Sequence, residues 1–288
     1  MTEIPEMSSR GSHTPAGTLS DTAAWMASFR AQESARRDRR IDDPYAARFA
    51  KNLSGRFAHR GQLAADMVVQ RTVVFDELIL KTIAEHAIDC VINIAAGYDT
   101  RPYRLQLPER VVWFDTDLPD LTTRKKELLD DATPKCAVEF RNLDLREAGQ
   151  LAAILEDANR RASRALVITE GLLLYLPEDS VRGLAETLGL HPNVSVWLTD
   201  LMSPAARFFM NRAAARHLDH IGEILRFAPR NGPAFFAPYG WTPESVHPAF
   251  RVMQRIDRNS NPMIGAVLGA AKLFAPASLD GTVLLRRL

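Results

Sequence analysis

The sequence predicts an α/β fold: a doubly wound, mainly parallel sheet, with a helical N-terminal segment and a helical insertion that together form a cap. Three observations carry this reading. From residue 89 onward, short β-branched runs alternate with amphipathic segments, the pattern of strand–helix–strand units. The stretch VINIAAGYDTRPYRL ends its first strand on Ala95, Ala96 and Gly97, small residues that let a ligand approach the backbone. Residues 202–240 then break the alternation with an apolar, aromatic stretch longer than a connection needs.

The elements follow in chain order. Residues 1–18 are rich in Ser, Thr, Pro and Gly and read as a mobile arm. Residues 19–88 read as a helical cap. Within it, Thr22–Arg40 carries the run RRDRR, a solvated helix face beside Glu33 and Asp38. DDPYAARFA starts a helix, with Asp43 as its cap and Pro44 in the first turn. Residues 71–87 form a helix with apolar positions Val73, Val74, Leu78, Ile79 and Ile83.

Residues 89–201 read as the cofactor-binding core. Its strands are 89–95, 111–115, 137–140, 165–169 and 194–200. Its helices are 119–130, 147–163 and 178–189; the last opens on Pro177, Glu178 and Asp179 and stops at Gly189. Residues 202–240 are the cap insertion. Residues 241–288 complete the sheet, with GTVLLRRL as a final strand. Residues 19–288 thus form a single domain, with no internal repeat.

Bulk properties narrow the function. Lys and Arg number 36 against 35 Asp and Glu, a formal net charge of +1, which gives no nucleic-acid footprint. The two cysteines, Cys90 and Cys136, each sit beside an apolar run and read as buried free thiols in a reducing compartment. The N-terminus lacks the apolar core of a signal peptide, and the weakly polar stretch 262–277 is too short to span a bilayer. A soluble, cytoplasmic protein is expected, with no membrane partner; the oligomeric state stays open.

Four positions along the carboxyl edge of the sheet carry chemistry. Ala95-Ala96-Gly97 suits a ligand close to the backbone, although a tight strand–helix turn has the same composition. Asp117 ends the second strand 20 residues after Gly97, where a carboxylate holds a ribose diol. Its rival role is to cap the helix that Pro119 begins. Asp144 and Leu145 follow the third strand and suit an adenine, with an acceptor for its amine and an apolar edge. Glu170 ends the fourth strand, on the same edge as the first loop; pairing with a basic residue is its alternative. The dinucleotide pattern G-x-G-x-x-G is not met, and the phosphate-binding G-x-x-x-x-G-K-[ST] is absent. S-adenosylmethionine has a ribose and an adenine without a phosphate, and fits better.

Other groupings weigh less. His217, Asp219 and His220 share a helical stretch, but without a third well-spaced ligand they read as a surface pair, and no metal is expected. No G-x-S-x-G is present to make a hydrolase elbow. Phe208, Phe209, Phe235, Phe236, Tyr239 and Trp241 read either as core or as part of a substrate pocket, with Phe209, Phe236 and Tyr239 as its candidate wall.

The stretches NIAAGYDTRPYRL, FDTDLPD, NLDLR and ITEGLLLYLP, in this order and spacing, resemble the leucine carboxyl methyltransferase and polyketide O-methyltransferase family. DPYAARFA and Arg71-Thr72 resemble its N-terminal segments. The resemblance covers residues 20–200 well and the C-terminal third poorly. It implies a class I S-adenosylmethionine-dependent O-methyltransferase. Gly97 and its neighbours would then contact the methionine part, Asp117 the ribose, and Asp144 with Leu145 the adenine. Glu170 would lie near the cofactor's amino group and Arg71 would neutralise its carboxylate, with Arg30 as a second candidate cation. One departure stands out: the family has glycine where this chain has Ala95.

The expected activity is methyl transfer to an oxygen of a small molecule, a carboxylate or a phenol of polyketide-like, secondary-metabolism type. A carboxylate acceptor is ionised at neutral pH and needs no base; for a phenol, Tyr175 is the candidate. A protein C-terminal carboxyl methyltransferase is the first alternative. A nicotinamide-dependent oxidoreductase or a non-catalytic nucleotide binder is the second.

Overall fold

A computed structural model of the chain describes residues 16–50, 62–215, 225–249 and 280–288. The residues before 16, the trio His217, Asp219 and His220, and the stretch 262–277 lie outside the described residues. The helices are α1 (Ala16–Ser34), α2 (Ala46–Ala50), α3 (Gln62–Glu85), α4 (Arg101–Arg104), α5 (Pro119–Leu128), α6 (Gln150–Arg161), α7 (Glu178–Leu190) and α8 (Pro204–Ala215). The strands are β1 (Cys90–Ile94), β2 (Val112–Asp117), β3 (Ala137–Asn142), β4 (Ala165–Thr169), β5 (Val194–Leu201), β6 (Trp241–Pro248) and β7 (Gly281–Arg287). Short 3-10 helices span Leu173–Tyr175 and Gly232–Tyr239.

The strands form one sheet in the order β3-β2-β1-β4-β5-β7-β6. Strands β1 to β5 are parallel, with β1 between β2 and β4. Strand β7 runs antiparallel to both β5 and β6. Chain direction across the sheet reverses between β1 and β4. Their following loops therefore part, and the crevice of a doubly wound fold opens at their carboxyl ends.

Side chains alternate along each strand and so feed two cores. On one face, Val74, Phe75, Leu78, Ile79 and Ile83 of α3 pack on Val91, Trp113, Leu166, Ile168 and Leu198. On the other, Ile154 and Leu155 of α6 and Val181, Leu184 and Leu188 of α7 pack on Ile92, Phe114, Val167 and Trp197. A third cluster joins α1, α2 and α5 around Tyr98 and Tyr103. Phe49 stacks on Tyr98 there, with ring centroids 4.4 Å apart.

The structure redraws the expected cap. Helix α3 begins before residue 71, and its apolar stripe covers a face of the sheet rather than its edge. Phe75 and Ile79 are fully buried against the strands, so only the first turns of α3 reach the crevice. The insertion divides in two. Helix α8 follows β5 at the carboxyl edge. Residues 225–240 instead join the α6–α7 layer, where Phe227 and Phe236 are buried and the Trp241 indole donates to the Ala185 carbonyl at 3.1 Å. Strand β6 lies in the region expected to complete the sheet but was not itself named as a strand; WTPESVHP carries two prolines. It lies at the sheet's edge, where a strand tolerates a missing N–H, and its register shifts between Pro243 and Ser245.

Local expectations hold at the α2 cap and at the two cysteines. Asp43 caps α2, its Oδ1 accepting from the amides of Tyr45 at 3.2 Å and Ala46 at 3.0 Å. Arg36 pairs with Asp38 on an exposed surface, but α1 ends at Ser34, so RRDRR lies in the turn after the helix and not on a helix face. Cys90 and Cys136 are free and buried, and burial pushes their thiols up to about 12 and about 11. Among the described residues no group of His, Cys, Asp or Glu is arranged to hold a metal, and no helix is long and apolar enough to cross a membrane.

Candidate functional site

The crevice starts with the turn after β1. Ala95 and Gly97 both adopt left-handed backbone, at φ 54° and 50°. Glycine takes this region freely, whereas an alanine methyl crowds its own carbonyl. The residue singled out as a departure is therefore also a strained one. The turn is pinned by the Ala96 amide donating to the Thr116 carbonyl at 2.9 Å, and by the Thr116 hydroxyl donating to the Asn93 carbonyl at 2.9 Å. Ala95, Ala96 and Gly97 remain partly open to solvent.

Asp117 ends β2 next to this turn. Its Oδ2 accepts from the Gly97 amide at 2.6 Å and its Oδ1 from the Leu118 amide at 2.7 Å. The residue at the cap position of α5 is Leu118, with no side-chain bond, so the Asp117 carboxylate ties the end of β2 to the turn after β1 rather than capping the helix. Burial raises its pKa, and the two amide donors only partly offset that. Below it, Lys125 Nζ donates to Asp115 at 2.5 Å in a pair sealed from solvent. Burial pushes the Asp115 carboxyl up to about 6 despite that cation.

The opposite lip is a network of acids and arginines. Glu170 follows β4 directly. Its Oε1 accepts from Arg71 Nε at 2.9 Å, and its Oε2 lies 2.7 Å from Arg101 Nη1. Arg71 Nη1 also reaches Asp200 at 3.4 Å, at the end of β5. Asp200 accepts in turn from the Gly171 amide at 2.7 Å. Gly171 sits at φ 66°, and a Cβ there would lie 3.1 Å from Arg71 Nη1, so glycine makes room for the guanidinium. Burial alone would raise Glu170, but Arg101 and then Arg71 outweigh it and hold the carboxyl below its ordinary value. Asp200 goes the other way: burial raises it, and Arg71 compensates only in part.

Of the other nominated residues, Asp144 is held by Arg146, which donates to it from its amide, Nε and Nη2. This pairing lowers its pKa. Leu145 packs against the α6–α7 core. Tyr175 ends the 3-10 turn after Glu170, within electrostatic reach of Arg71.

Four nominated residues sit elsewhere than expected. Arg30 donates to Asp43 at 2.9 Å and to the Tyr98 carbonyl at 2.5 Å, so it braces the β1 turn and does not offer a free cation. Phe236 is fully buried between Trp197 and Phe235, as core. Phe209 points outward from α8, 63% exposed, so these two do not form one pocket wall. Tyr239 packs beside Phe235, away from the crevice lips named above.

The sequence reading passed over Asp200, Asp99, Arg101 and Asp76. Asp200 had the same signal as Glu170, an acid ending an apolar strand. Asp99 and Arg101 lay inside the first motif and pair with each other there, but the other two partners of Arg101, Asp76 and Glu170, come from elsewhere in the chain.

This strand order, with a small-residue turn after β1 and acids ending β2 and β4, defines a class I, Rossmann-like methyltransferase fold. The chain belongs to the leucine carboxyl methyltransferase family, matching it over residues 23–189. A Frankia alni protein described as an S-adenosyl-L-methionine-dependent methyltransferase is 36% identical over 184 residues, which are 61% of this chain and 65% of that protein. The match thus spans slightly under two thirds of the Frankia protein's length. A Mycobacterium tuberculosis protein with the same description is 30% identical over 253 residues, covering 78% of this chain and 83% of the other. The cofactor these relatives are named for is the one the sequence motifs led to. In fold, the chain is similar to a Streptomyces avermitilis DUF574 family protein (TM-score 0.56, 12% identity, covering 94% of this chain and 100% of that one). It is also similar to a Thermobifida fusca structure described as a methyltransferase (TM-score 0.54, 17% identity, covering 96% and 99%).

Proposed function

We propose that the protein is an S-adenosylmethionine-dependent O-methyltransferase that acts on a small molecule bearing a carboxylate or phenol. The observation that carries the cofactor half is the pair of crevice lips. One lip has Asp117 beside the open turn at Gly97, and the other has Glu170 with Arg71. A carboxylate suits a ribose diol, a second carboxylate suits an ammonium, and a guanidinium suits a carboxylate. No other ligand considered for this edge presents all three groups.

The cofactor, when bound, supplies an activated methyl group for in-line transfer to an acceptor oxygen, with a thioether as leaving group. In this reading Asp117 accepts from the ribose hydroxyls. Asp144, released from Arg146, accepts from the adenine amine, and Leu145 lines the ring. Glu170 accepts from the amino group. Arg71 donates to the carboxylate. The protein's main contribution is orientation in a site shielded from water. Tyr175 is the candidate to relay a proton from a phenolic acceptor; a carboxylate acceptor needs none. The family's description supports testing carboxylates first, on small molecules and on peptide C-termini as the second reading. We place the enzyme in the cytoplasm, in natural-product metabolism.

Calorimetric titration tests the cofactor half: S-adenosylhomocysteine binds and NAD does not. Tight NAD binding without a response to S-adenosylhomocysteine would refute it. Labelled methyl transfer to panels of carboxylates, phenols and C-terminal peptides then tests the acceptor.

A further inference from the structure

We infer that Arg101 is a positioning residue that aims Glu170 at the cofactor's amino group, by locking the two lips of the crevice to each other and to α3. This rests on the assignment of Glu170 proposed above.

Nothing in the local backbone orients Glu170. It follows the last residue of β4 and precedes Gly171, whose φ is 66°. Its two oxygens are instead held by two guanidiniums of different character. Arg71 is 27% exposed and faces the crevice. It is the cation assigned to the ligand's carboxylate, so its hold on Glu170 must be shared with the ligand. Arg101 is 3% exposed, so its guanidinium is closed to solvent. Its Nη1 lies 2.7 Å from Glu170 and 2.7 Å from Asp99, and its Nε donates to Asp76 at 2.7 Å.

These three carboxylates come from three elements. Glu170 follows β4, Asp99 lies in the turn after β1, and Asp76 is on α3. Each distal carboxylate is fixed again. Asp99 accepts from the Asn93 amide side chain at 2.8 Å, and Asp76 accepts a fork from Arg104 at 2.6 and 2.8 Å. The guanidinium lies over the Phe75 ring at 5.6 Å, which fills the space beneath it. One side chain thus sets the distance between the β1 turn and the β4 end, the two walls that a ligand must touch together. It remains in place when Arg71 turns to a ligand. The charged and titratable groups that face Glu170 are Arg71, Arg101, Asp99, Asp200 and, through Arg71, Tyr175.

The test is calorimetric binding of S-adenosylhomocysteine and adenosine to wild type, Arg101→Gln, Arg101→Lys, Glu170→Gln and the double variant Arg101→Gln/Glu170→Gln, between pH 5 and 8. Loss of a charge-assisted contact predicts that Arg101→Gln weakens S-adenosylhomocysteine about tenfold or more. Adenosine, which lacks the amino-acid end, changes less than about twofold. Arg101→Lys falls between, because one ammonium cannot reach three carboxylates; it also keeps a buried cation and answers the question if the glutamine variant does not fold. In Arg101→Gln, affinity declines further toward pH 5, as Glu170 loses a cation that holds it ionised. In the Glu170→Gln background the Arg101 change costs little more. Equal weakening of both ligands, or an undiminished Arg101 effect in the Glu170→Gln background, overturns the inference and makes Arg101 a fold residue. Wild-type Arg101 behaviour in both single variants, with Glu170→Gln weakened, overturns this inference alone. A wild-type protein that does not bind S-adenosylhomocysteine, or an unchanged Glu170→Gln, overturns the assignment of Glu170 as well.

Discussion

Replacing Ala95 with glycine should stabilise the protein, against the usual direction of such a change. Left-handed backbone costs an L residue about 1–2 kcal/mol, and Ala95 sits at φ 54°. Glycine removes that cost but frees the unfolded chain, which returns about 0.4–1 kcal/mol. The balance is a gain of about 0–1.5 kcal/mol. No packing term enters of the size that a core residue would bring, because the methyl is partly open to solvent. Ala87, at φ 51° in the turn between α3 and β1, is an internal control remote from the crevice. Urea unfolding followed by circular dichroism should move the midpoint of Ala95→Gly and Ala87→Gly the same way, with an unchanged slope. Only Ala95→Gly touches the turn that a ligand approaches. It should bind S-adenosylhomocysteine at least as tightly as wild type, while Ala87→Gly leaves binding alone. A loss of about 0.5–1 kcal/mol at Ala95→Gly, the ordinary cost of an added glycine, would show that residue 95 is not in left-handed backbone and that the reasoning is wrong.

Asp117→Ala removes the acceptor proposed for both ribose hydroxyls, each bond worth about 1.5–3 kcal/mol, so S-adenosylhomocysteine and adenosine should both weaken by about a hundredfold to more than ten thousandfold by calorimetry. Arg71→Ala should weaken S-adenosylhomocysteine and spare adenosine, and Arg71→Lys should weaken it less; equal loss of both ligands would remove Arg71 from the carboxylate site. Lys125→Met strands the buried Asp115 and should cost about 3–5 kcal/mol in urea unfolding, whereas Asp115→Val/Lys125→Met should cost less than that single change. The Asp115 carboxyl is pushed up to about 6, above its unfolded value, so the folded state holds the extra proton. Its stabilising contribution is complete below about pH 4 and is lost as pH rises to about 6. The difference between wild type and the double variant should shrink over that window, and a flat difference would refute the assignment.

The core was legible because its five parallel strands are short runs rich in β-branched and aromatic residues, set between amphipathic segments, which local composition reveals. Strand β6 was not, since its prolines argue against any strand except one whose outer amides have no partner. The role of α3 was misjudged for a related reason: periodicity shows that a helix has an apolar stripe, but not whether the stripe meets a sheet face or its edge. The site divides in the same way. Gly97, Asp117 and Glu170 could be nominated because strand ends in this topology converge on one edge. The partners of Arg101 and Arg71 could not, because they are set by tertiary contact. Arg101 reaches Asp76 25 residues away, and Arg71 reaches Glu170 99 residues away. Arg30 shows the converse: a cation nominated from the sequence is held in the structure by Asp43 and the Tyr98 carbonyl, contacts that its position in the chain does not reveal.

The placing of β7 between β5 and β6 has a consequence for how the chain is made. Strand β5 ends at Leu201, and the strand that covers its free edge begins only at Gly281. At roughly 5–20 residues per second, a ribosome takes about 4–16 s to emit the intervening chain. Throughout that interval the growing protein would present VSVWLTDL with one row of amides and carbonyls unpaired and with Val194, Val196, Trp197, Leu198 and Leu201 among its side chains, a template for pairing with a neighbouring nascent chain. The interval is a fixed toll of this topology, and it makes the yield of soluble protein sensitive to translation speed and to holdase chaperones before any ligand is involved.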